Sequence, residues 1–272
     1  MKFKKLFAGV ALAALLVGGL AGCGSKKADN SVKRIQDKNT LTIGTSADFA
    51  PFEFPVVKNG HKVIEGYDIL VAQKIAKNLG VKLKVQNIEF PSLISELQNH
   101  KVDLVLAGMT KTKKREKAVD FSRHYYTESE KILVKKSDAN KYNTKASTKG
   151  ASFGAQQSST QETLAKSETD AHIVTESLTT SLTTDLKSGK LDGVVLAKVV
   201  ADEYVKKYPN QYAEAKYNMK VPTSLKYLNI AIPKNEPALK KRVNKEITHL
   251  EKTGQLNKMF KQAQHEQEKS GK

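Results

Sequence analysis

Short apolar segments alternate with longer amphipathic segments along most of this chain, and this alternation limits the folds that are open to it. Residues 41–43, 81–85 and 102–106 are predicted to be buried strands, and residues 69–79 have helical apolar spacing up to Gly80, a common helix end. Further strands are predicted at 153–155, 172–174, 194–196 and 228–232, and further helices at 92–99, 160–166, 179–186 and 239–260. Strands that alternate with helices are typical of parallel sheets whose faces are covered by helices. The pattern therefore predicts an α/β fold, and 272 residues are enough for two modest domains.

The first 22 residues have the composition of a secretory signal, because three lysines precede an apolar stretch at 6–20. The motif Leu20-Ala21-Gly22-Cys23 is similar to the bacterial lipobox, in which the cysteine is lipidated and becomes the first mature residue. Cys23 is the only cysteine, so no intramolecular disulfide can form. We predict a signal peptide at 1–22 and a lipidated Cys23 at the outer face of a membrane. An ordinary cleaved signal or an uncleaved anchor is the alternative, although the apolar stretch is short for a membrane span.

Residues 23–38 contain glycine, serine and several lysines but few apolar side chains, so they are predicted to form a flexible tether before a folded part that starts near Asn39. The chain carries a formal net charge of +18. Its lysines are spread over every segment, without the interleaved aromatic residues or the glycine-rich motif of a nucleic-acid-binding module. We therefore predict a general attraction to anionic surfaces and no nucleic-acid partner.

The stretch 104–116 combines a predicted buried strand with features of an anion site. Ala107 and Gly108 leave their backbone N–H groups open to close approach, and Thr110 adds a hydroxyl group. Arg115 is one of four arginines in a chain that otherwise uses lysine, and a planar guanidinium can hold a carboxylate through two parallel hydrogen bonds. The stretch indicates a carboxylate-binding loop. A strand-to-helix turn with a solvated basic helix face is the alternative.

Six short segments follow one another in order between residues 41 and 260. They are Ile43–Phe54, Gly66–Ile69, Asp103–Thr110 with Arg115, Val119–Ser122 with Tyr125 and Tyr126, Phe153–Glu162, and Leu191–Val195. In order and spacing these segments resemble the extracellular solute-binding proteins of the polar amino-acid family of ABC importers. The resemblance covers nearly the whole mature chain.

The resemblance implies a two-lobed fold of the type II periplasmic-binding-protein class, in which each lobe is a mostly parallel sheet flanked by helices. The chain would cross between the lobes twice, and a ligand would bind between them as they close. The implied boundaries are lobe 1 at 39–128 and 229–263, lobe 2 at 133–225, hinges near 128–132 and 226–228, and a polar C-terminal tail at 264–272.

The resemblance also implies a ligand site in the first lobe. Gly108 and Thr110, within the segment that includes Ala107 and Met109, would take the α-amino and α-carboxylate groups, and Arg115 would hold the carboxylate. Phe49 and Phe52 would form apolar walls, with packing into the lobe core as the alternative. Asp48 and Glu53 would read a polar ligand side chain, although an exposed loop carboxylate is an equally open interpretation.

From the second lobe, Gln156, Ser159 and Thr160 would close over the ligand, with simple helix capping by Ser159 or Thr160 as the alternative. The family usually carries a carboxylate for the ligand's ammonium group at the position of Ala197. Its loss removes a charge-assisted hydrogen bond worth about 1.5–3 kcal/mol. Asp192 has the spacing of a structural turn position and does not fill this gap.

We therefore predict a lipid-anchored, monomeric substrate-binding protein of a Gram-positive bacterium. It would capture a polar amino acid, of the arginine, glutamine or cystine kind, for ABC permease subunits at the cell surface. No cofactor or metal is expected, because the six histidines show no metal-ligand spacing. A basic adhesin that binds mucus, collagen or anionic wall polymers is the alternative. An enzyme is a third hypothesis, since a few dehydratases share this fold.

Overall fold

The computed structural model describes residues 29–270 as an α/β structure with two five-stranded sheets and a separate hairpin. The strands are β1 Thr40–Thr45, β2 Phe54–Lys58, β3 His61–Glu65, β4 Lys82–Asn87, β5 Leu104–Val105, β6 Asp120–Thr127, β7 Glu130–Lys135, β8 Ser152–Gln156, β9 His172–Glu176, β10 Gly193–Ala197, β11 Tyr212–Glu214 and β12 Tyr227–Ile232. The helices are α1 Ser31–Asp37, α2 Tyr67–Leu79, α3 Leu93–Gln98, α4 Lys113–Glu116, α5 Thr160–Glu168, α6 Thr179–Ser188, α7 Lys198–Lys207, α8 Pro237–Lys252 and α9 Gln255–Ser270. The predicted α/β class is confirmed.

The two sheets have the same internal order. The first runs β4-β1-β5-β12-β6 and the second runs β9-β8-β10-β7-β11. Three neighbouring strands are parallel in each sheet, and the fourth, β12 or β7, is antiparallel to its neighbours. In both sheets this reversed strand is the one that enters directly from the other sheet. We call the first sheet with its helices lobe 1 (29–127 and 227–270) and the second lobe 2 (130–225).

The two crossings between the lobes lie side by side. Only residues 128 and 129 separate β6 from β7, and Lys226 precedes β12. The Glu128 N–H donates to the Lys226 carbonyl at 2.7 Å, so the two crossings are hydrogen-bonded to each other. The first crossing is shorter than the predicted segment 128–132, because Ile132 already pairs with Val195 inside the second sheet.

Helix α2 packs against the sheet of lobe 1. The residue before it must be glycine, because the backbone of Phe52 leaves no room for a side chain. Gly66 has φ of 128°, and a Cβ atom there would lie 2.2 Å from the Phe52 carbonyl oxygen. The helix ends at Gly80 in the left-handed conformation, as predicted. The face of α2 toward the sheet is apolar and buried, and this start places Asp68 in the first helical turn.

The segment before β1 differs from the predicted tether at 23–38. Residues Ser31–Asp37 form helix α1, in which Ile35 is fully buried, and Arg34 pairs with Glu236 of lobe 1 at 2.7 Å. A single buried isoleucine among polar residues gives little sequence signal for a docked helix. Residues 23–28, including Cys23, and the predicted signal at 1–22 lie outside the described residues.

The predicted tail at 264–272 also differs, because α9 continues to Ser270. Ala263 is buried, and beyond it the helix reaches lobe 2, where Gln264 donates to Glu203 at 3.4 Å and Glu268 pairs with Lys206. The end of α9 therefore connects the two lobes a third time. Within residues 29–270, no helix has the length and apolar character needed to cross a membrane.

Candidate functional site

The loop after β5 forms the floor of a cleft between the lobes. Gly108 has φ of +53°, and a Cβ atom there would lie 2.8 Å from the ring of Phe49, so glycine is required on two counts. Its N–H donates to the Asp68 carboxylate at 2.9 Å, which fixes the loop against α2. The structure places Ala107, Gly108 and Thr110, three of the predicted ligand contacts, in the lining of the cleft. Met109 is fully buried in the lobe 1 core and lies away from the cleft, which corrects its place among the predicted ligand contacts.

Arg115 lies at the edge of this floor and reaches across the cleft. One terminal nitrogen donates to the Thr110 carbonyl at 2.6 Å, and the other donates to the Ser158 carbonyl of lobe 2 at 3.0 Å. The guanidinium carbon is 5.3 Å from the centre of the Phe90 ring. Burial lowers the pKa of Arg115 to about 10, so the group stays positively charged at neutral pH. A fixed, partly desolvated guanidinium is a strong site for a carboxylate.

Aromatic side chains form one wall, in two layers. Phe49 lines the cleft with 8 % of its surface exposed, and Phe52 lies behind it, fully buried, with a ring-to-ring distance of 5.5 Å. Phe52 also packs against Tyr126 and Phe260, so it supports Phe49 and does not contact the cleft. Among the predicted walls, the structure places Phe49 at the site and Phe52 in the core.

Acidic groups lie next to these rings, inside lobe 1. Glu53 lines the cleft but is fully buried, and no N–H or O–H group of the other described residues donates a hydrogen bond to its oxygens. Its carboxyl group lies within hydrogen-bonding reach of the Asp68 carboxylate, to which it can donate when protonated. Burial, together with the negative charges of Asp68 and Asp48, raises the pKa of Glu53 well above its usual range. The interpretation of Glu53 as an exposed loop carboxylate is therefore wrong. Ionising a buried carboxyl group beside a second buried acid is costly, and a cationic group in the cleft would offset that cost.

Asp68, below Glu53, is fully hydrogen-bonded. It accepts hydrogen bonds from the Gly108 N–H and from the Tyr125 hydroxyl, the latter at 2.8 Å. Burial nevertheless raises its pKa to about 6. Asp68 therefore positions the loop, and a protonated Glu53 can donate to it, whereas no described donor group reaches the Glu53 oxygens.

Asp48 joins the lobes. Its carboxylate accepts hydrogen bonds from the Ser46 hydroxyl at 2.8 Å and, across the cleft, from the backbone N–H of Thr179 at 2.5 Å. Thr179 is the first residue of α6, where a carboxylate meets the positive end of the helix dipole. Burial raises the pKa of Asp48. Together with the Arg115–Ser158 contact, this bond shows that the lobes are closed on each other.

Lobe 2 presents uncharged side chains at the end of β8 and the start of α5. Gln156 donates to the Ser177 carbonyl at 3.0 Å, and it lines the cleft with Thr160 and Gln161. The Ser159 hydroxyl accepts a hydrogen bond from the Glu162 N–H at 3.0 Å, so it caps α5. Ser159 is absent from the cleft lining, which favours the capping interpretation for this residue.

Ala197 is fully buried at the end of β10, precedes α7 directly, and does not line the cleft. Asp192 exchanges backbone and side-chain hydrogen bonds with Ser152 at 2.8 Å, which agrees with a structural role. Sequence reasoning missed three lining residues, Ser46, Phe90 and Gln161. Gln161 directly follows the predicted Thr160 and lies inside the segment Phe153–Glu162 that carries the resemblance, although it was not among the predicted ligand contacts.

In the described part of the chain, no group of three or more histidine, cysteine, aspartate or glutamate side chains is arranged to hold a metal ion. The cleft instead combines one arginine, two carboxyl groups (Asp48 and Glu53), two aromatic rings and several amides or hydroxyls. Such a set can bind a small zwitterionic molecule between the lobes.

A family model described as bacterial extracellular solute-binding proteins, family 3, matches residues 41–265. The chain belongs to this family. Its fold is the two-lobed type II periplasmic-binding-protein fold that the resemblance implied.

One similar solved structure is that of the amino acid ABC transporter substrate-binding protein AbpA from Streptococcus pneumoniae, bound to L-arginine. Its sequence is 35 % identical to this chain, and the two structures superpose with a TM-score of 0.82 over 86 % of this chain and 98 % of that one. The arginine-binding extracellular protein ArtP of Bacillus subtilis is 42 % identical over 46 % of each chain. The glutamine-binding protein GlnH of the same organism is 35 % identical over 49 % of this chain and 52 % of the relative. The chain thus matches about half the length of these curated relatives.

Proposed function

We propose that this protein captures a cationic amino acid, with arginine as the best candidate, and delivers it to an ABC importer. One observation carries the proposal. Arg115 and Glu53 face the same cleft from lobe 1, one with a fixed positive charge and the other with a buried carboxyl group whose neighbour is a second buried acid, Asp68, and not a cation or a donor of the described residues.

A ligand that satisfies both groups carries a carboxylate at one end and a cation at the other. The α-carboxylate would bind Arg115 and Thr110, and the side chain would extend over Phe49 and Phe90 toward Glu53. Stacking of a guanidinium on aromatic rings contributes about 0.5–2 kcal/mol. A guanidinium can pair with an ionised Glu53, whereas a neutral glutamine side chain would leave it protonated and without an ion pair, so this geometry favours arginine over glutamine.

The relatives support the same ligand. AbpA was solved with L-arginine, and ArtP is named for arginine binding. Other similar proteins are named for glutamine or cystine, so the family model alone does not select among the three.

A ligand panel tests this proposal. We would measure binding of arginine, lysine, glutamine and cystine by calorimetry, and melting temperature in parallel, on protein that lacks only residues 1–23. A ligand at 100 times its dissociation constant adds about 2.7 kcal/mol of stability. Arginine is expected to give the largest shift. Tight glutamine binding without arginine binding would contradict the cationic ligand, and no binding of any amino acid would contradict the function.

We also propose that Cys23 anchors the protein to the outer face of the cell membrane, as the lipobox indicates. Fractionation of cells that express the wild type and Cys23→Ala tests this. The wild type is expected in the membrane fraction, and the variant is expected to be released. A variant that stays membrane-bound would contradict lipidation at this residue.

A further inference from the structure

The strand beside Ala197 carries a buried carboxylate at the matching position. In the antiparallel pair of β10 and β7, Ala197 lies directly opposite Glu130. Directly paired residues on antiparallel strands point to the same face of the sheet, with Cβ atoms about 4.5–5.5 Å apart. Glu130 therefore offers a negative charge one strand away from the position that lacks one.

Glu130 is connected to the cleft through a single side chain. Its carboxylate oxygens accept hydrogen bonds from the Gln161 Nε2 group at 3.1 and 3.2 Å, and Gln161 lines the cleft. Because the amide nitrogen is held by Glu130, the Gln161 carbonyl oxygen lies at the opposite end of the amide. That oxygen accepts one long hydrogen bond, 3.4 Å, from the Thr160 hydroxyl, and its second lone pair is open to a hydrogen-bond donor on a ligand.

The charge of Glu130 is not balanced inside the described part of the protein. The nearby lysines pair with other acids: Lys131, next to Glu130 on β7, with Glu214, and Lys198 of α7 with Asp202. The other buried acid nearby, Glu128, supplies no positive charge, and burial and Glu130 raise its own pKa. Glu130 has 5 % of its surface exposed, and burial raises its pKa to about 8. A cation brought to this end of the cleft would favour its ionised form.

We propose that Gln161, held by Glu130, accepts the α-ammonium group of the ligand and so replaces the carboxylate that is missing at Ala197. Gln161 is the contacting residue and Glu130 is the positioning residue, whose negative charge lies directly behind the amide. The proposal rests on the proposed amino-acid binding and assigns the lobe 2 group that selects for a free α-amino group.

The test compares two ligands that differ only in that group: L-arginine and its des-amino analogue, 5-guanidinopentanoate. Calorimetry gives the ratio of their affinities for the wild type, Glu130→Gln and Gln161→Leu. The wild type is expected to prefer arginine strongly, and each variant is expected to lose about tenfold of this preference, the scale of one charge-assisted hydrogen bond. Affinity for the des-amino analogue is expected to stay within about twofold of the wild type.

Glu128→Gln is the matched control. It removes the same charge from a buried acid two residues away that does not contact Gln161. Its affinity ratio is expected to equal or exceed that of the wild type, because loss of a neighbouring negative charge favours ionised Glu130.

A rescue separates a specific role from a structural one. In the variant Glu130→Gln with Ala197→Asp, the carboxylate moves to the facing strand, and aspartate is also a favourable residue before α7. This variant is expected to regain the preference for arginine.

The outcomes are distinct. Equal loss of affinity for both ligands in Glu130→Gln, or an unchanged ratio, would overturn the proposal. A wild type that binds both ligands equally would also overturn it. If another amino acid proves to be the ligand, that amino acid and its des-amino analogue are the pair to use. A wild type that binds no amino acid refutes the proposed function before any variant is made.

Discussion

The two lobes contribute different chemistry to the cleft although their sheets have the same strand order. Lobe 1 provides the charged groups, Arg115 and Glu53, and the aromatic wall. Lobe 2 provides amides and hydroxyls from the start of α5, and its buried Glu130 lies behind an amide. Two lobes with the same strand order therefore supply different kinds of side chain to the ligand site.

The difference teaches what each lobe does in a binding cycle. Fixed charges inside a packed lobe can select a ligand before closure, because they need no rearrangement. Neutral groups on the opposite lobe add contacts only when the lobes meet. We expect substitutions in lobe 1 to change affinity greatly, and substitutions on the cleft face of lobe 2 to change it less.

The largest effect is expected from Arg115→Ala. Truncating a buried charged partner typically costs about 2–5 kcal/mol, so affinity for arginine should fall by roughly 100-fold or more. Titration calorimetry measures this. Arg242→Ala, on α8 outside the cleft, is the control and should bind normally. Normal binding by Arg115→Ala would contradict the assignment of Arg115 in lobe 1 as the group that binds the ligand's carboxylate.

Glu53→Gln is expected to act in two opposite directions. Arginine affinity should fall by about 2 kcal/mol, because a charged hydrogen-bond acceptor is lost. The ligand-free protein should become more stable, because the amide removes the repulsion between the buried acids Glu53 and Asp68 and can still donate to Asp68. Calorimetry and thermal melting give the two values. Glu65→Gln, on the hairpin strand β3, should change neither by much. A less stable, tightly binding Glu53→Gln protein would contradict the assignment.

The pH dependence of stability gives an independent test of the buried acids. Burial raises the pKa of Asp68 to about 6 and that of Glu130 to about 8, and the pKa of Glu53 is raised as well. An acid whose pKa is higher in the folded protein stabilises the fold below its unfolded pKa, and this contribution is lost as pH rises through the folded value. The melting temperature of ligand-free protein should therefore fall between about pH 4 and pH 8.

Saturating arginine should reduce this fall, because a bound cation favours the ionised acids. The stabilisation by arginine should thus grow with pH over the same range. Melting curves with and without ligand measure both trends, and Glu53→Gln should show a flatter profile. A melting temperature that rises steadily across this range would contradict the presence of buried acids whose pKa values are strongly raised.

The smallest effect is expected from Gln156→Ala in lobe 2. The side chain makes one good hydrogen bond to the Ser177 carbonyl and a longer one, 3.4 Å, to Asp48 of lobe 1. A loss of about 1 kcal/mol, roughly fivefold in affinity, is the expected result. Gln157→Ala is a matched control, because Gln157 is adjacent, exposed and outside the cleft. A 100-fold loss for Gln156→Ala would break the proposed division between the lobes.

The floor of the site could be predicted because its parts are consecutive in the chain. Ala107, Gly108, Thr110 and Arg115 lie on one strand-to-helix connection, so local composition already indicates an anion site. Phe90 belongs to another segment and reaches the cleft only through the packing of lobe 1. No local pattern identifies such a residue.

The burial of Glu53 could not be predicted either. Its neighbours Asp68 and Asp48 come from α2 and from the loop after β1, and only the folded lobe places them together. In contrast, the hairpin of β2 and β3 could have been predicted from the local sequence, although the sequence analysis did not predict it. Asn59 and Gly60 have φ of 51° and 78°, the left-handed pair that Asn-Gly favours in a two-residue hairpin turn.

The helices at the two ends show how polar composition misleads. In α9 only Leu256, Met259 and Ala263 are buried, so a sequence of mainly lysine, glutamine and glutamate gave no sign that the helix continues to Ser270. Amphipathic spacing, and not the average polarity, identifies such a helix.

The buried carboxyl group of Glu53 also affects how closely the closed form of the protein is linked to the presence of bound ligand. With the lobes together and no cation in the cleft, the acid must either take up a proton or remain as an uncompensated charge. We expect a cationic ligand in the cleft to stabilise the closed form relative to the empty closed form. A partner that senses the relative position of the lobes would receive few false signals from empty molecules. Selectivity of transport would then begin with the rarity of the empty closed form.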